Sequence, residues 1–489
     1  MSGTALAAEI VEAQAATRLV SPGFERWAEQ AASCGHCANP IRLRGSATTL
    51  DRATGEVLSS YDSGTEPDGV LYVRCGNRRA SVCPSCSHEY KGDMWHLLAA
   101  GAAGGMKGVP SSVASHPLVF ATLTAPSFGP VHTIRRAGRC RPRSRKVLCE
   151  HGRPVGCEAV HDDGDDRLGQ PICPECYDYT GHVVWQWWAP ELWRRFTITL
   201  RRLLAASLGV TQAQARDLVR VSFAKVAEFQ RRGVIHFHAL IRLDGPPADD
   251  GFPAPLADVP TVQLAALVRT AAAAVWFDAP PTTTGDTVRR LRFGVQVDAR
   301  VVSTTAEREL GRADEGGLHP ETVAAYIAKY ATKACEDFGL PPRLRAPEAA
   351  RAMGIAEHVC RLLEEVHRIA AAGSDVYLPL VKWVPMLGFR GHFATKSRRY
   401  STTLGKLRTA RKRWSLHRLR DPLGQDGGTE PDVLNEQVDD STLVVGSWSL
   451  DGFGWLTAGD AALAATAAAQ ARKWTDDRAR QRRASHDQR

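Results

Sequence analysis

The sequence predicts an α+β protein, and three stretches carry that prediction. Residues 116–126, HPLVFATLTAP, alternate: Val119, Ala121 and Leu123 share one face, Phe120, Thr122 and Thr124 the other, and Pro126 closes the run. That is a strand with one apolar and one mixed face. Residues 219–243 read as an antiparallel hairpin that turns at Gly233, between SFAKVAEFQ and VIHFHALIRL. GGLHPETVAAYIAKYATKACEDFG reads as a helix, with Pro320 at its first position, Glu321 at the positive end of its dipole and Gly339 as its stop.

The remaining elements follow in order. The first ~30 residues read as a helix, followed by a Cys-containing region to about residue 90. The small residues of LLAAGAAGGMKGVPSS (97–112) suggest a linker or loop. Residues 129–182 are polar, rich in Gly and Pro, and carry a second set of Cys, as an insertion would. A Trp-rich helix over 183–207 places Trp185, Trp188, Leu192, Phe196 and Leu200 at helical spacing, as core packing requires. A helix over 261–276 and a strand over 291–302 come next. Residues 378–415 are basic, QDGGTEPDVLNEQVDDS is an acidic linker, and KWTDDRARQRRASHDQR is a charged tail with no structure assigned to it. The domain division expected is 1–112 (an N-terminal region with a Cys module), 113–377 (the main domain, with a Cys-rich insertion at about 130–182), 378–425 (a basic segment) and 426–489 (linker and tail).

At 489 residues the chain is too long for one compact core. Its 44% hydrophobic and 24% charged residues are those of an ordinary globular protein, and its formal charge of +9 favours polyanionic partners, nucleic acid first. No run reaches the roughly 18 apolar residues of a membrane span, so no membrane partner is expected. The first twenty residues carry Glu9 and Glu12 and lack a cationic start, unlike a signal peptide. A cytoplasmic location is therefore expected, where paired Cys point to metal rather than disulfides.

His236 and His238 lie in GVIHFHALIRLDG. Chance gives roughly 0.5 such pairs among this many His, so the motif alone is weak. Its context is stronger. Residues i and i+2 of a strand face the same way, and the opposite face here is Ile235, Phe237, Ala239, Ile241 and Leu243, all apolar. The histidine face should then be the open side of a sheet, with two imidazoles placed to chelate a cation. Glu228 and Gln230 share a face of the partner strand, and Glu228 is the better third ligand for Mg²⁺ or Mn²⁺, which favour carboxylate oxygen. Taken in isolation, two half-exposed histidines with ordinary hydrogen bonds are the plainer reading of the motif.

Tyr326 and Tyr330, four residues apart in AAYIAKYATKAC, lie one turn apart on one helix face, with Lys329 and Lys333 beside them. Val323, Ala324, Ile327, Ala328 and Ala331 form the other, apolar side. Two phenols flanked by ammonium groups suit phosphoryl transfer. A phenol needs a nearby cation or base to act as a nucleophile, and a metal or lysine can offset charge in the transition state. Interfacial tyrosines with solvated lysines are the plainer reading of the same face.

Cys34/Cys37, Cys83/Cys86 and Cys173/Cys176 are all C-x-x-C, where chance gives roughly 0.3 such pairs, so structural Zn²⁺ is expected. Cys34, Cys37, Cys83 and Cys86 would make one zinc-ribbon-like module, with Cys75 a rival ligand. Cys149, Cys157, Cys173 and Cys176 would make a second, with His151 and His161 as alternatives, in a segment too poor in apolar residues to build its own core. Cys140, Cys335 and Cys360 look single and structural.

Taken in order, FATLT, then H-x-H, then Y-x-x-K-Y resembles the three motifs of the HUH endonuclease superfamily, in its two-tyrosine rolling-circle branch. LCEHGRPVGC, EFQRRGVIHFHALIRLDG, YIAKYATKA and LGFRGHFATKSRRYSTTLGKLR are similar to replication initiators of actinobacterial plasmids and integrative elements, over roughly residues 30–415. The resemblance implies a central antiparallel sheet with flanking helices, ferredoxin- or RRM-like. It also implies an enzyme that nicks one strand of a plasmid origin, stays on the 5′-phosphate through a tyrosine, and leaves a 3′-hydroxyl primer. By position, Phe120 to Thr124 match the first motif, His236 and His238 the metal ligands, and Tyr326 and Tyr330 the first and second nucleophiles, with Lys329 between them. No G-x-x-x-x-G-K-[ST] occurs, so a host helicase, with a host polymerase, would have to act alongside it. Lys333, Lys396, Arg398 and Arg399 are the DNA-binding candidates, with Phe393, Tyr400 and Trp414 interleaved to stack on single-stranded bases. The competing readings are a relaxase or single-strand transposase with the same chemistry, and a non-catalytic zinc-bearing DNA-binding regulator.

Overall fold

The computed structural model describes residues 3–135, 138–145, 147–248, 251–283, 285–303, 318–331, 338–341, 343–411 and 442–486. In chain order the elements are α1 (Gly3–Leu19), α2 (Phe24–Ser33), β1 (Ile41–Asp51), β2 (Val57–Asp62), β3 (Leu71–Val73), α3 (Pro84–Ala103), β4 (Leu118–Leu123), α4 (Tyr179–Ser207), α5 (Gln212–Leu218), β5 (Arg220–Phe229) and β6 (Ile235–Asp244). Then come α6 (Thr261–Ala274), β7 (Trp276–Ala279), β8 (Arg289–Arg292), β9 (Val297–Val301), α7 (Pro320–Tyr330), α8 (Pro347–Ala352), α9 (Glu357–Ala371), β10 (Ala394–Lys396), β11 (Thr442–Phe453) and α10 (Ala458–His486). The fold is mixed α+β, with antiparallel sheets and flanking helices. No described helix is long and apolar enough to cross a membrane.

The chain forms two units, Met1–Asp93 with Arg408–Arg489, and Met94–Leu407. In the first, β1 pairs antiparallel with β11 along its whole length and with β2 and β3 on its other side. Helix α10 lies against α1, where Arg18 forms ion pairs with Asp460 (2.6 Å) and Asp68 (2.8 Å). Trp27, Tyr72 and Trp455 pack together, and the Trp455 indole donates to the Cys37 carbonyl (2.9 Å). The tail left unassigned in the sequence is thus largely helix, the exposed continuation of α10, whose first turns bury Asp460, Ala464 and Ala468. The expected linker at 97–112 also differs, because α3 runs through Ala103. Its small residues allow close packing: a Cβ on Gly101 would sit 2.1 Å from the Tyr400 ring. The acidic stretch 425–441 lies outside the described residues.

In the second unit a five-stranded antiparallel sheet runs β10-β5-β6-β4-β9. The apolar face of β6 is as read from its alternation, with Ile235, Phe237, Ala239, Ile241 and Leu243 all at 1% exposure or less. Helices α4, α6 and α9 belong to the same core as that face. The Trp-rich helix begins four residues earlier than expected. Asp178 caps it by accepting from the Gly181 N–H (2.7 Å), an N-cap that pattern matching on the tryptophans overlooks. The expected strand at 291–302 divides into β8 and β9, with Gly294 between them donating its N–H to the Thr124 carbonyl (2.7 Å).

The hairpin turn is tightly held. Gly233 has φ +79, and a Cβ there would lie 3.0 Å from Leu362 and 3.1 Å from Leu387. The Gln186 amide of α4 donates to the Gly233 carbonyl (2.9 Å) and accepts from the Ile235 N–H (2.9 Å). His182 and His358 add contacts to the Gly233 and Arg232 carbonyls at 3.2 and 2.9 Å. Three buried polar side chains therefore set where β6 begins, and hence where its histidines project.

Candidate metal and tyrosine site

The register of three strands builds the centre. Glu228 on β5 stands opposite His236 on β6, and Thr122 on β4 stands opposite His238. Both imidazole Nε2 atoms meet one carboxylate oxygen of Glu228, at 2.7 Å from His236 and 2.9 Å from His238. These three ligand atoms lie within 4.8 Å of one another. Two nitrogens and a carboxylate oxygen could together hold a metal ion. Burial pushes the Glu228 carboxyl up, but its hydrogen bonds from the two histidines outweigh that and hold it at about 2. Burial lowers the His238 pKa against the opposing pull of Glu228, so its ring is readily neutral, the form a metal ligand needs.

Behind the ligands, Thr122 Oγ1 contacts His238 Nδ1 at 3.1 Å. This contact fixes the ring, and with a cation on Nε2 the Nδ1–H would donate to the hydroxyl. Phe120 stacks on the same imidazole, with ring centroids 5.7 Å apart. The sequence marked the whole strand through FATLT without singling out Thr122. The register that sets it against His238 is the signal that identifies it.

Helix α7 brings the phenols to this centre. Pro320 takes the first helical position as expected, and Val323, Ala324, Ile327 and Ala328 bury the opposite face. Tyr326 and Tyr330 lie 5.4 and 5.6 Å from the His238 ring and 4.9 Å from each other, centroid to centroid. Lys329 Nζ lies 5.9 Å from the centre of the Tyr330 ring. The expectation of an open histidine face needs correction. His238 is 2% exposed, because Phe120 and the tyrosines cover it. Tyr326 remains 44% exposed. Tyr330 is half-buried, and burial, its hydrogen bond with Tyr326 and the charge of Glu228 all hold its hydroxyl protonated. The helix is described only to Tyr330, and Lys333 lies outside the described residues.

A family model described as "Replication initiator protein, pSAM2" (RepSA) matches residues 23–469. The chain belongs to this replication-initiator family. It is 41% identical over 454 residues to a "Replication initiator protein" of Streptomyces ambofaciens, covering 92% of this chain and 90% of that one. No solved structure matches.

Elsewhere in this initiator-family chain the cysteines gather differently from their spacing. Cys37, Cys75, Cys83 and Cys86 bring their sulfurs within 4.8 Å of one another, with Cys37 3.7 Å from both Cys83 and Cys86, and Cys75 3.8 Å from Cys86. Cys34 is not among them. Its thiol is turned to the Ala31 carbonyl (3.3 Å) at the end of α2, and Cys75, just beyond β3, takes the place expected for it. In the insertion, Cys149, Cys173 and Cys176 gather with His151, whose Nδ1 is 3.3 Å from Cys176. Cys157 belongs to another group and lies 3.5 Å from His161 Nε2.

The basic segment also needs correction. Residues 378–386 form a 3-10 turn burying Leu380, Val384 and Met386. Phe393 (6% exposed) and Tyr400 (0%) are core residues and present no stacking face, and Trp414 lies outside the described residues. Tyr400 is buried because Arg242, itself fully buried, stacks on its ring at 5.2 Å. Lys396 directs its ammonium to backbone carbonyls, including Ser401 at 3.1 Å, while Arg398 and Arg399 are exposed.

Proposed function

We propose that this replication initiator is an HUH-type enzyme that nicks a single strand at a plasmid origin through a tyrosine and so starts rolling-circle replication. The observation that carries the reading is the meeting of Glu228, His236, His238, Tyr326 and Tyr330 at one point, from β5, β6 and α7. Glu228, His236 and His238 would hold Mg²⁺ or Mn²⁺, which when bound supplies Lewis-acid polarisation of the scissile phosphate.

Tyr326 is the better-placed first nucleophile, being exposed while Tyr330 is held protonated. Its oxygen attacks phosphorus and the bond to the 3′-oxygen breaks. The phenol proton passes to water, and the leaving oxygen is protonated to give a 3′-hydroxyl. Lys329 offsets phosphate charge beside Tyr330, which takes the second transfer. The phosphotyrosine bond conserves the energy of the phosphodiester, so rejoining needs no nucleotide. Origin DNA is the partner, with host helicase and polymerase acting on the primed strand, and Arg398 and Arg399 are the exposed candidates for phosphate contact. The cysteine groups would hold structural Zn²⁺.

The test is incubation with a 3′-end-labelled single-stranded origin oligonucleotide and Mn²⁺, followed by a denaturing gel. The expected result is a labelled band at protein size that is lost with EDTA, in His236→Ala, and in Tyr326→Phe combined with Tyr330→Phe. Undiminished covalent capture by the double variant overturns the tyrosine assignment. A native-gel shift without any covalent band favours a non-catalytic DNA-binding regulator.

A further inference from the structure

The insertion between β4 and α4 holds a group that the C-x-x-C pairs do not announce. His132, Cys140, Cys157 and His161 bring their ligand atoms within 4.8 Å of one another. We infer that these four residues form a further Zn²⁺ centre, separate from the Cys149 group, which braces the insertion against the hairpin of the tyrosine site.

The distances are those of a tetrahedron around one ion. With Zn–S of about 2.3 Å and Zn–N of about 2.0 Å, the tetrahedral edges are about 3.8 Å for S···S, about 3.5 Å for N···S and about 3.3 Å for N···N. Cys157 Sγ lies 3.5 Å from His161 Nε2, and His132 Nδ1 lies 3.1 Å from the same atom. The outer contacts match as well. Asp165 Oδ2 accepts from His161 Nδ1 at 2.6 Å, which aims the Nε2 lone pair into the group, the carboxylate–histidine–metal arrangement. The Thr133 N–H donates to Cys140 Sγ at 3.2 Å, as amides do to a ligating thiolate. Cys140 and His161 are buried, at 1% and 5% exposure, and no carboxylate is among the four donors. A soft, closed S₂N₂ set suits zinc and leaves no position for substrate.

The insertion needs such a centre. Ile134, Val147, Leu148 and Val160 are 41%, 51%, 60% and 70% exposed, so its apolar residues do not form a core of their own. Metal binding would then supply its folding free energy. The centre also reaches the hairpin. Just after His161, Asp163 accepts from Arg231 at 2.9 Å, and a Cβ on Gly169 would meet the Arg231 carbonyl at 2.4 Å. Arg231 lies in the turn joining the strands that carry Glu228 and His236.

The inference does not rest on the tyrosine reading, and its test reads metal and thiols rather than nicking. Purified full-length protein would be alkylated with iodoacetamide under native conditions, with and without a zinc chelator, and the labelled cysteines mapped by mass spectrometry. Cys140 and Cys157 should be protected and should become reactive on chelation, while buried Cys360, which belongs to no such group among the described residues, should not respond to the chelator. Zinc content should fall by one equivalent in Cys157→Ser and be kept in Cys157→His. Equal alkylation of Cys157 with and without chelator in the wild-type chain overturns the inference, whatever the folding of the variants. So does a Cys157→Ser chain, folded by circular dichroism, that retains the wild-type zinc content.

Discussion

Replacing Thr122 by Val probes how the metal centre is held without touching a ligand. The side chains are nearly the same size, and valine suits a central strand, so β4 should keep its pairing with β6. What is lost is the 3.1 Å contact to His238 Nδ1. The His238 side chain is only 3% exposed, so no water replaces the lost partner. A buried polar group left unsatisfied costs about 1–3 kcal/mol. That cost falls on the metal-bound form, where Nδ1 must carry its proton with nothing to accept it, and it corresponds to metal affinity weakened by about 10–100-fold. The assay is the nicking rate as a function of Mn²⁺ concentration. The half-saturating Mn²⁺ should rise by that factor, while the rate at saturating Mn²⁺ returns to near the wild-type value because both tyrosines are intact. An unchanged Mn²⁺ dependence would refute the reasoning. A rate that stays low at saturating metal would show that Thr122 acts on the phenols or the DNA instead.

Other consequences are as direct. Cys75→Ser should remove one zinc equivalent and lower the melting temperature, while Cys34→Ser should keep that zinc; metal analysis giving the reverse would restore the ligand set read from spacing. Burial holds His358 at about 4, well below the ordinary value of 6.5. The unfolded chain therefore takes up this proton first as pH falls, so the contribution is complete above about pH 6.5 and is lost towards pH 4, by about 3 kcal/mol. Denaturant midpoints for wild type and His358→Gln should converge over that range, and parallel profiles would count against it. Gly101→Ala places a Cβ 2.1 Å from the Tyr400 ring and should cost about 1–3 kcal/mol, read as a lowered melting temperature; an unchanged one would mean that the ring moves freely.

The parts of this site that were legible in the sequence are those set by local periodicity. Five apolar residues alternating with His236 and His238 determine both the strand and the face of its histidines, and Gly233 and Pro320 mark a turn and a helix start by backbone geometry alone. Glu228 follows from counting back across a tight hairpin. What local pattern does not encode is the choice among distant partners. Cys34 has the right spacing to Cys37, yet the thiol at a helix end turns to the Ala31 carbonyl, and pairing of β3 with β1 delivers Cys75 instead. Tyr400 sits among cations and reads as a stacking residue until Arg242 and Gly101, far away in sequence, are seen to enclose it. The charged tail continues a helix whose first turn meets Arg18 through Asp460 across 442 positions. The His132 and Cys140 group lies between these cases. Cys157 and His161, four residues apart, carry a zinc-like spacing, but it is a weaker local signal than C-x-x-C, and only the folded loop brings the other two ligands to them. Short-range periodicity thus places the reacting groups, while the supports that hold them come from contacts whose chain separation leaves no local mark. Thr122 shows both at once, since its strand is plain in the sequence and its partner is not.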